Sequence, residues 1–171
     1  LSIVDMFNLA NENVKGIVLN TRDVSERKAF EEQLQHQAFH DAVTGLANRA
    51  LFKDRVEHMI ERQSRDDLPV SVLFMDLDDF KTINDSLGHA AGDRMLSEVG
   101  ERLKNSLRQA DTAARLGGDE FAILLEDGGD GVDAAEVAAR ILASLEGPFH
   151  LEGKEVFVRA WRSLAGFRSE S

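Results

Sequence analysis

Five acidic side chains of this chain stand where the making of a strand or a turn gives no reason for them. Asp76, Asp78 and Asp79 follow directly on the apolar run VSVLFM, and Asp119 and Glu120 lie between Gly117-Gly118 and a second apolar run, FAILL. Adjacent carboxylates repel, and burial disfavours their charged form, so such a cluster is costly unless a cation joins it. Hard oxygen donors select Mg2+ or Mn2+, and Mg2+ is typically held by one or two carboxylates together with substrate phosphates. If residues 70–75 form a central strand, Asp76 and Asp78 leave it on one face, because side chains alternate along a strand. Gly117 and Gly118, having no side chains, let a ligand approach the backbone of the turn. For the hairpin taken alone, a glycine turn with two solvated acids is the competing reading; the acids of DLDD on a neighbouring strand argue for metal.

Other chemistries fit poorly. An EF-hand loop on DLDDFKTIND needs Gly at its sixth position and Glu at its twelfth, where this chain has Lys81 and Leu87. GHAAGD lacks the Gly-Lys-Ser/Thr ending of a phosphate-binding P-loop. The five histidines are scattered, and His36 and His40 read as surface residues. With no Cys, disulfides and thiolate metal sites are excluded. A net charge of −11 argues against a nucleic-acid surface, but not against a nucleotide whose charge is offset by metal. No apolar stretch is long enough to span a bilayer as a helix.

The elements that hold these acids follow from the hydrophobic spacing. A β-branched run after Gly16 reads as a strand ending near Asp23. Ser25 can cap a helix whose Phe30, Leu34 and Ala38 recur along one narrow face; it reads as a linker helix pairing with a second copy, or as a solvated helix on its own domain. NRALFKDRVEHMIERQ is an amphipathic helix with Leu51, Phe52, Val56, Met59 and Ile60 inward. A buried strand over residues 70–75, a helix over AGDRMLSEVGERLKNSL, and strands over residues 112–116 and 121–125 follow. Next come a helix stopped by Gly147-Pro148 and a last strand in KEVFVRA. From residue 70 onward the order is that of an α+β, ferredoxin-like split βαββαβ core, an antiparallel sheet with helices on one face. The two acid clusters then meet at one end of the sheet.

RLGGDEFAILLE resembles the defining motif of GGDEF domains, the diguanylate cyclases. DAVTGLANR is similar to the family's opening segment, and DLDDFKTINDSLGHAAGD to its metal and guanine segment. Upstream, GIVLNTRDVSERKAFEEQL resembles the end of a PAS sensor domain and its signalling helix. The resemblance divides the chain into a PAS-like strand (1–23), a signalling or linker helix (24–40) and a GGDEF domain (41–171). It implies condensation of two GTP into cyclic di-GMP with release of two pyrophosphates, one GTP on each of two facing domains of a homodimer. Carried over residue by residue, Asp76, the Leu77 carbonyl, Asp119 and Glu120 would hold two Mg2+ or Mn2+ per active site. Asp119 would also be the base for the 3′-hydroxyl, and Lys81 would neutralise phosphate charge. Asn84 and Asp93 would read guanine, although Asn84 also suits a turn and Asp93 a helix start. Arg108 and Asp111 match the RxxD site at which product inhibits; a surface ion pair is the plainer alternative. The family resemblance places the domain in the bacterial cytoplasm, free or as the cytoplasmic part of a larger membrane-bound or multidomain sensor.

The end departs from the family. After EVFVRA a strand of the type S-I-G-I-A, a helix and a basic segment for the triphosphate are expected; the chain reads WRSLAGFRSES, in which SLAGF loosely resembles that strand while the later basic residues are absent. The expectation is a domain cut short at its C-terminus with weakened catalysis. A catalytically silent module that binds GTP or cyclic di-GMP and signals by contact is the alternative.

Overall fold

The computed structural model describes residues 2–7, 18–23, 37–66, 70–126, 134–158 and 160–167. It divides into two compact units, Leu1–Ala38 and Phe39–Ser171. In the first, β1 (Ser2–Phe7) pairs antiparallel with β2 (Val18–Asp23), from Ser2 opposite Asp23 to Phe7 opposite Val18. Most of the expected linker helix, residues 24–36, lies outside the described residues.

The second unit runs α1 (Arg49–Asp66), β3 (Val70–Leu77), α2 (Phe80–Leu87), α3 (His89–Ser106), β4 (Thr112–Gly117), β5 (Glu120–Glu126) and α4 (Ala134–Leu145). A short hairpin, β6 (Phe149–Leu151) with β7 (Lys154–Val156), and a long β8 (Ala160–Phe167) complete it. The sheet order is β4-β5-β3-β8, with every neighbouring pair antiparallel. This is the ferredoxin-like split βαββαβ arrangement, with β3 and β5 at the centre. The apolar runs that announced these two strands are apolar because both faces are covered.

Alternation along β3 and β5 sorts their side chains between two cores. Leu73, Met75, Leu77, Phe121, Ile123 and Leu125 pack against α3 and α4 through residues such as Met95, Val99 and Ile141. Val70, Val72, Ala122 and Leu124 pack on the opposite face against Phe52 and Met59 of α1. The helices of the core from residue 70 onward thus lie on one face, as expected, and α1, which precedes that core, buries its own apolar stripe on the second face. Ile60, expected inward, is 42% exposed, since it lies one residue beyond Met59 and so rotates off that stripe. Each fully buried Leu, Ile or Phe contributes about 1.5–3 kcal/mol, so the two layers hold the central strands rigidly.

The end of the chain requires a second correction. KEVFVRA does not supply the final sheet strand: residues 154–156 form one arm of the small β6–β7 hairpin. The edge partner of β3 is β8, AWRSLAGF, running from Val70 opposite Phe167 to Leu77 opposite Ala160. The fourth strand of the fold is thus present in the segment that departs from the family's sequence.

Candidate active site

The β4–β5 hairpin turns through Gly118 and Asp119, with Gly117 paired to Glu120 and a register shift between Arg115 and Gly117. Gly117 has φ 145° and Gly118 φ 57°, values that side chains strain to adopt, while a Cβ at either would meet nothing within 4 Å. Backbone conformation, rather than crowding, is what calls for glycine in the unliganded turn.

The register of the sheet brings the two acid clusters together. Asp76, near the end of β3, lies directly opposite Glu120, the first residue of β5. Partial burial, and then the charges of Asp119, Glu120 and Asp78, push the Asp76 carboxyl above its usual range. The four acids therefore share one electrostatic neighbourhood. A cleft of about 560 Å³ opens there, lined by Arg49, Asp76, Asp78, Glu120 and the apolar side chains of Phe74, Met75, Leu116 and Phe121. Phe74 is 40% exposed, because α1 covers the Val70 end of its face and leaves this end open. Beyond β3, Asp79 takes the left-handed conformation (φ 61°) that aspartate tolerates better than most residues. This turns the chain into α2.

Among the described residues, a cation approaches the acids from α1. Arg49, first residue of α1, approaches Glu120 at 3.6 Å and donates from Nε to the Leu116 carbonyl at 3.1 Å. Asn48 caps that helix, its Oδ1 accepting from the N–H groups of Ala50 and Leu51. Among the described residues no three acidic or histidine side chains form a ready-made cation cage. The donor set still fits a hard divalent ion, which needs only one or two protein carboxylates when phosphates complete its shell.

Sequence reasoning did not find the clamp behind the turn. Arg115 donates from Nη1 to both carboxylate oxygens of Asp41 at 3.2 Å, and from Nε and Nη2 to the Gly118 carbonyl at 2.9 and 2.7 Å. Asp41 also accepts from the N–H of Val43 and from the N–H and hydroxyl of Thr44. Burial alone would raise the Asp41 pKa, but the Thr44 and Arg115 contacts outweigh it and hold the carboxyl below its usual range. The Gly-Gly turn is thereby tied to the segment where the compact domain begins. The available signal was an Arg two residues before Gly117 and an Asp three residues before Thr44.

The remaining expected residues fall in three places. Leu77 ends β3 with its side chain in the core. Lys81 is exposed on the first turn of α2; Asn84, half-buried, sits on the same helix, and Asp93 is exposed on α3. Asn84 thus sits in a helix rather than in a turn, and Asp93 follows four residues of α3, so it does not cap it. At the far end of α3, Arg108 is exposed and Asp111 ties its loop to the end of β5: its carboxylate accepts from the Arg108 N–H at 3.0 Å and from the Glu126 N–H at 3.3 Å. Arg108 and Asp111 line a separate groove of about 290 Å³ together with Arg55 and Lys104.

A split βαββαβ sheet carrying an acid pair on a glycine hairpin, opposite a second acid at the end of its central strand, defines a recognisable class. Residues 38–163 match the family described as "Diguanylate cyclase, GGDEF domain", and the chain belongs to that family. Among its relatives, the diguanylate cyclase TpbB of Pseudomonas aeruginosa is 48% identical over 118 residues, which is 69% of this chain and 27% of TpbB. The bifunctional diguanylate cyclase/cyclic di-GMP phosphodiesterase MucR of the same species is 44% identical over 133 residues, 78% of this chain and 19% of MucR. The chain thus spans about a quarter or less of the length of these curated relatives. A solved structure of an N-terminally shortened TpbB comprising only its GGDEF domain superposes with a TM-score of 0.71 at 42% identity, covering 75% of each chain. Among the described residues no helix is long and apolar enough to cross a membrane.

Proposed function

We propose that this chain is a diguanylate cyclase domain that joins two GTP molecules into cyclic di-GMP. The observation that carries the reading is the placing of Asp76 opposite Glu120, beside the Asp119 turn, in an acid-lined cleft. Asp76, the Leu77 carbonyl, Asp119 and Glu120 would hold two Mg2+ or Mn2+. Bound there, the metal supplies charge neutralisation at the phosphates and lowers the pKa of a nearby hydroxyl. Asp119 takes the proton of the 3′-hydroxyl as the oxygen attacks the α-phosphorus of the other GTP. A P–O bond to the 3′-oxygen forms, the bond to the β-phosphate breaks, and pyrophosphate leaves. Lys81, on the first turn of α2, neutralises the charge growing on the leaving phosphates. Asn84 and Asp93 select guanine, whose N1–H and 2-amino group together suit one carboxylate; adenine lacks that donor pair and leaves the acid unsatisfied. Because one domain offers one such site, two domains face each other for each round.

Product inhibition is proposed for the groove at Arg108 and Asp111. Asp111 shapes the loop, while the exposed Arg108 guanidinium offers forked donors to guanine edges and phosphates. The functional test is incubation with GTP and Mg2+, read by chromatography. Asp119→Ala is expected to make no detectable cyclic di-GMP while still binding it in calorimetry. Arg108→Ala is expected to do the reverse, weakening product binding at least about tenfold with turnover retained. Cyclic di-GMP made by Asp119→Ala at the parent rate would refute the assignment of the site.

A further inference from the structure

The first turns of α3 contain a glycine that the helix does not need. Gly92 is buried at the fourth position of α3 and is absent from the residues of positive φ, so its backbone would accept any L-residue. Alanine is the better helix former at such a place. A Cβ on Gly92, however, would overlap Oδ1 of Asn84, lie 2.9 Å from its Cγ, and lie 3.3 Å from Cε2 of Phe80. The bare backbone at residue 92 is therefore the surface on which the Asn84 amide lies. The overlap is with the free end of a flexible side chain, so a methyl group at 92 is relieved by Asn84 swinging away while the helices stay put. Gly100, the other buried glycine of α3, shows the contrast. A Cβ there would lie 3.1 Å from Cβ and 3.2 Å from the backbone oxygen of Thr44, where relief requires the chain itself to shift.

We propose that Gly92 is a positioning residue for guanine recognition: it lets the Asn84 amide lie against α3, one residue before Asp93. The inference rests on the reading of Asn84 and Asp93 as the guanine-binding pair. With alanine at 92, the amide leaves that place and the base meets Asp93 alone. Stability and recognition then move in opposite directions, since the better helix former occupies α3 at the expense of the site.

The test is calorimetric binding of 3′-deoxy-GTP, which lacks the attacking hydroxyl, and of ATP, both with Mg2+, alongside thermal melting. Gly92→Ala is expected to weaken 3′-deoxy-GTP binding about tenfold, to narrow its preference over ATP, and to leave Tm unchanged or higher by about 2–4 °C. Asn84→Ala is expected to cause a similar loss, and the double variant no greater loss than either single one. If Gly92→Ala binds like the parent while Asn84→Ala does not, or if the losses multiply in the double variant, the positioning role is wrong and the guanine reading survives. If Asn84→Ala and Asp93→Ala both bind like the parent, both ideas fall. A Tm lowered by Gly92→Ala and not recovered in the double variant also overturns the proposal, because the obstruction would then lie elsewhere than Asn84.

Discussion

Asp76→Asn is expected to abolish cyclic di-GMP synthesis while making the metal-free chain harder to melt at neutral pH. Asp76 is partly buried and faces Asp119, Glu120 and Asp78, so its ionised form is disfavoured in the folded chain. For an acid whose folded pKa lies above its unfolded value, the folded state binds more protons across the interval between the two. The associated stability is greatest below the ordinary value of 3.8 and falls as pH rises through the raised folded value. An asparagine removes that loss. Melting in EDTA should therefore show Asp76→Asn above the parent at pH 7 and level with it near pH 3. Turnover should fall by about 10³-fold or more if, as proposed, Asp76 holds a cation that acts on the transition-state charge. On the proposed mechanism, the same carboxylate that lowers stability at neutral pH would be needed to hold a divalent ion. A variant that melts below the parent at pH 7 would show that Asp76 instead makes a stabilising contact.

Asp41→Ala is expected to act through the clamp rather than through chemistry. Its carboxylate and the Arg115 guanidinium have only 23% and 12% of their side-chain surface exposed, and Arg115 carries the Gly118 carbonyl on its remaining donors. Removing the acid leaves a largely buried cation unpaired, a loss of about 2–3 kcal/mol at this partial exposure. With Arg115 freed, the turn that carries Asp119 loses its anchor, and a displacement of about 1 Å in a reacting group can reduce turnover roughly 10²-fold. The pH dependence has the opposite sign to that of Asp76. Because the folded pKa of Asp41 is lowered, its contribution is complete above 3.8 and disappears as pH falls through the folded value. Acid melting curves of the parent and of Asp41→Ala should converge at low pH. A double-mutant cycle with Arg115→Met checks the pairing; additive losses would mean that the two residues act separately.

The strands that carry the acids were legible because they are buried on both faces. VSVLFM, broken only by Ser71, and FAILL are apolar runs, and the site acids follow the first and precede the second. Alternation along β3, together with the hairpin at Gly117-Gly118, was enough to bring Asp76 towards Glu120. Harder to see was whatever depends on contacts far apart in sequence. Arg115 and Asp41 are 74 residues apart, and neither is unusual where it stands. Helix α2 has eight residues and one buried side chain, Ile83, too little for a periodic stripe. Strand β8 contains Ala, Ser and Gly among its apolar residues, so SLAGF resembles the expected strand only loosely, and the pairing with β3 supplies the rest. The three-residue arms of β6 and β7 are too short for alternation to register.

The proposed site stands or falls on whether Asp76 and the hairpin acids together hold divalent ions between the protein and a guanosine triphosphate. Electron paramagnetic resonance of Mn2+ titrated into the chain with 3′-deoxy-GTP reads this directly. Bound Mn2+ is expected for the parent and for Arg108→Ala, and is expected to disappear in Asp76→Asn and in Asp119→Asn. Mn2+ held as tightly by Asp76→Asn as by the parent would contradict the shared site.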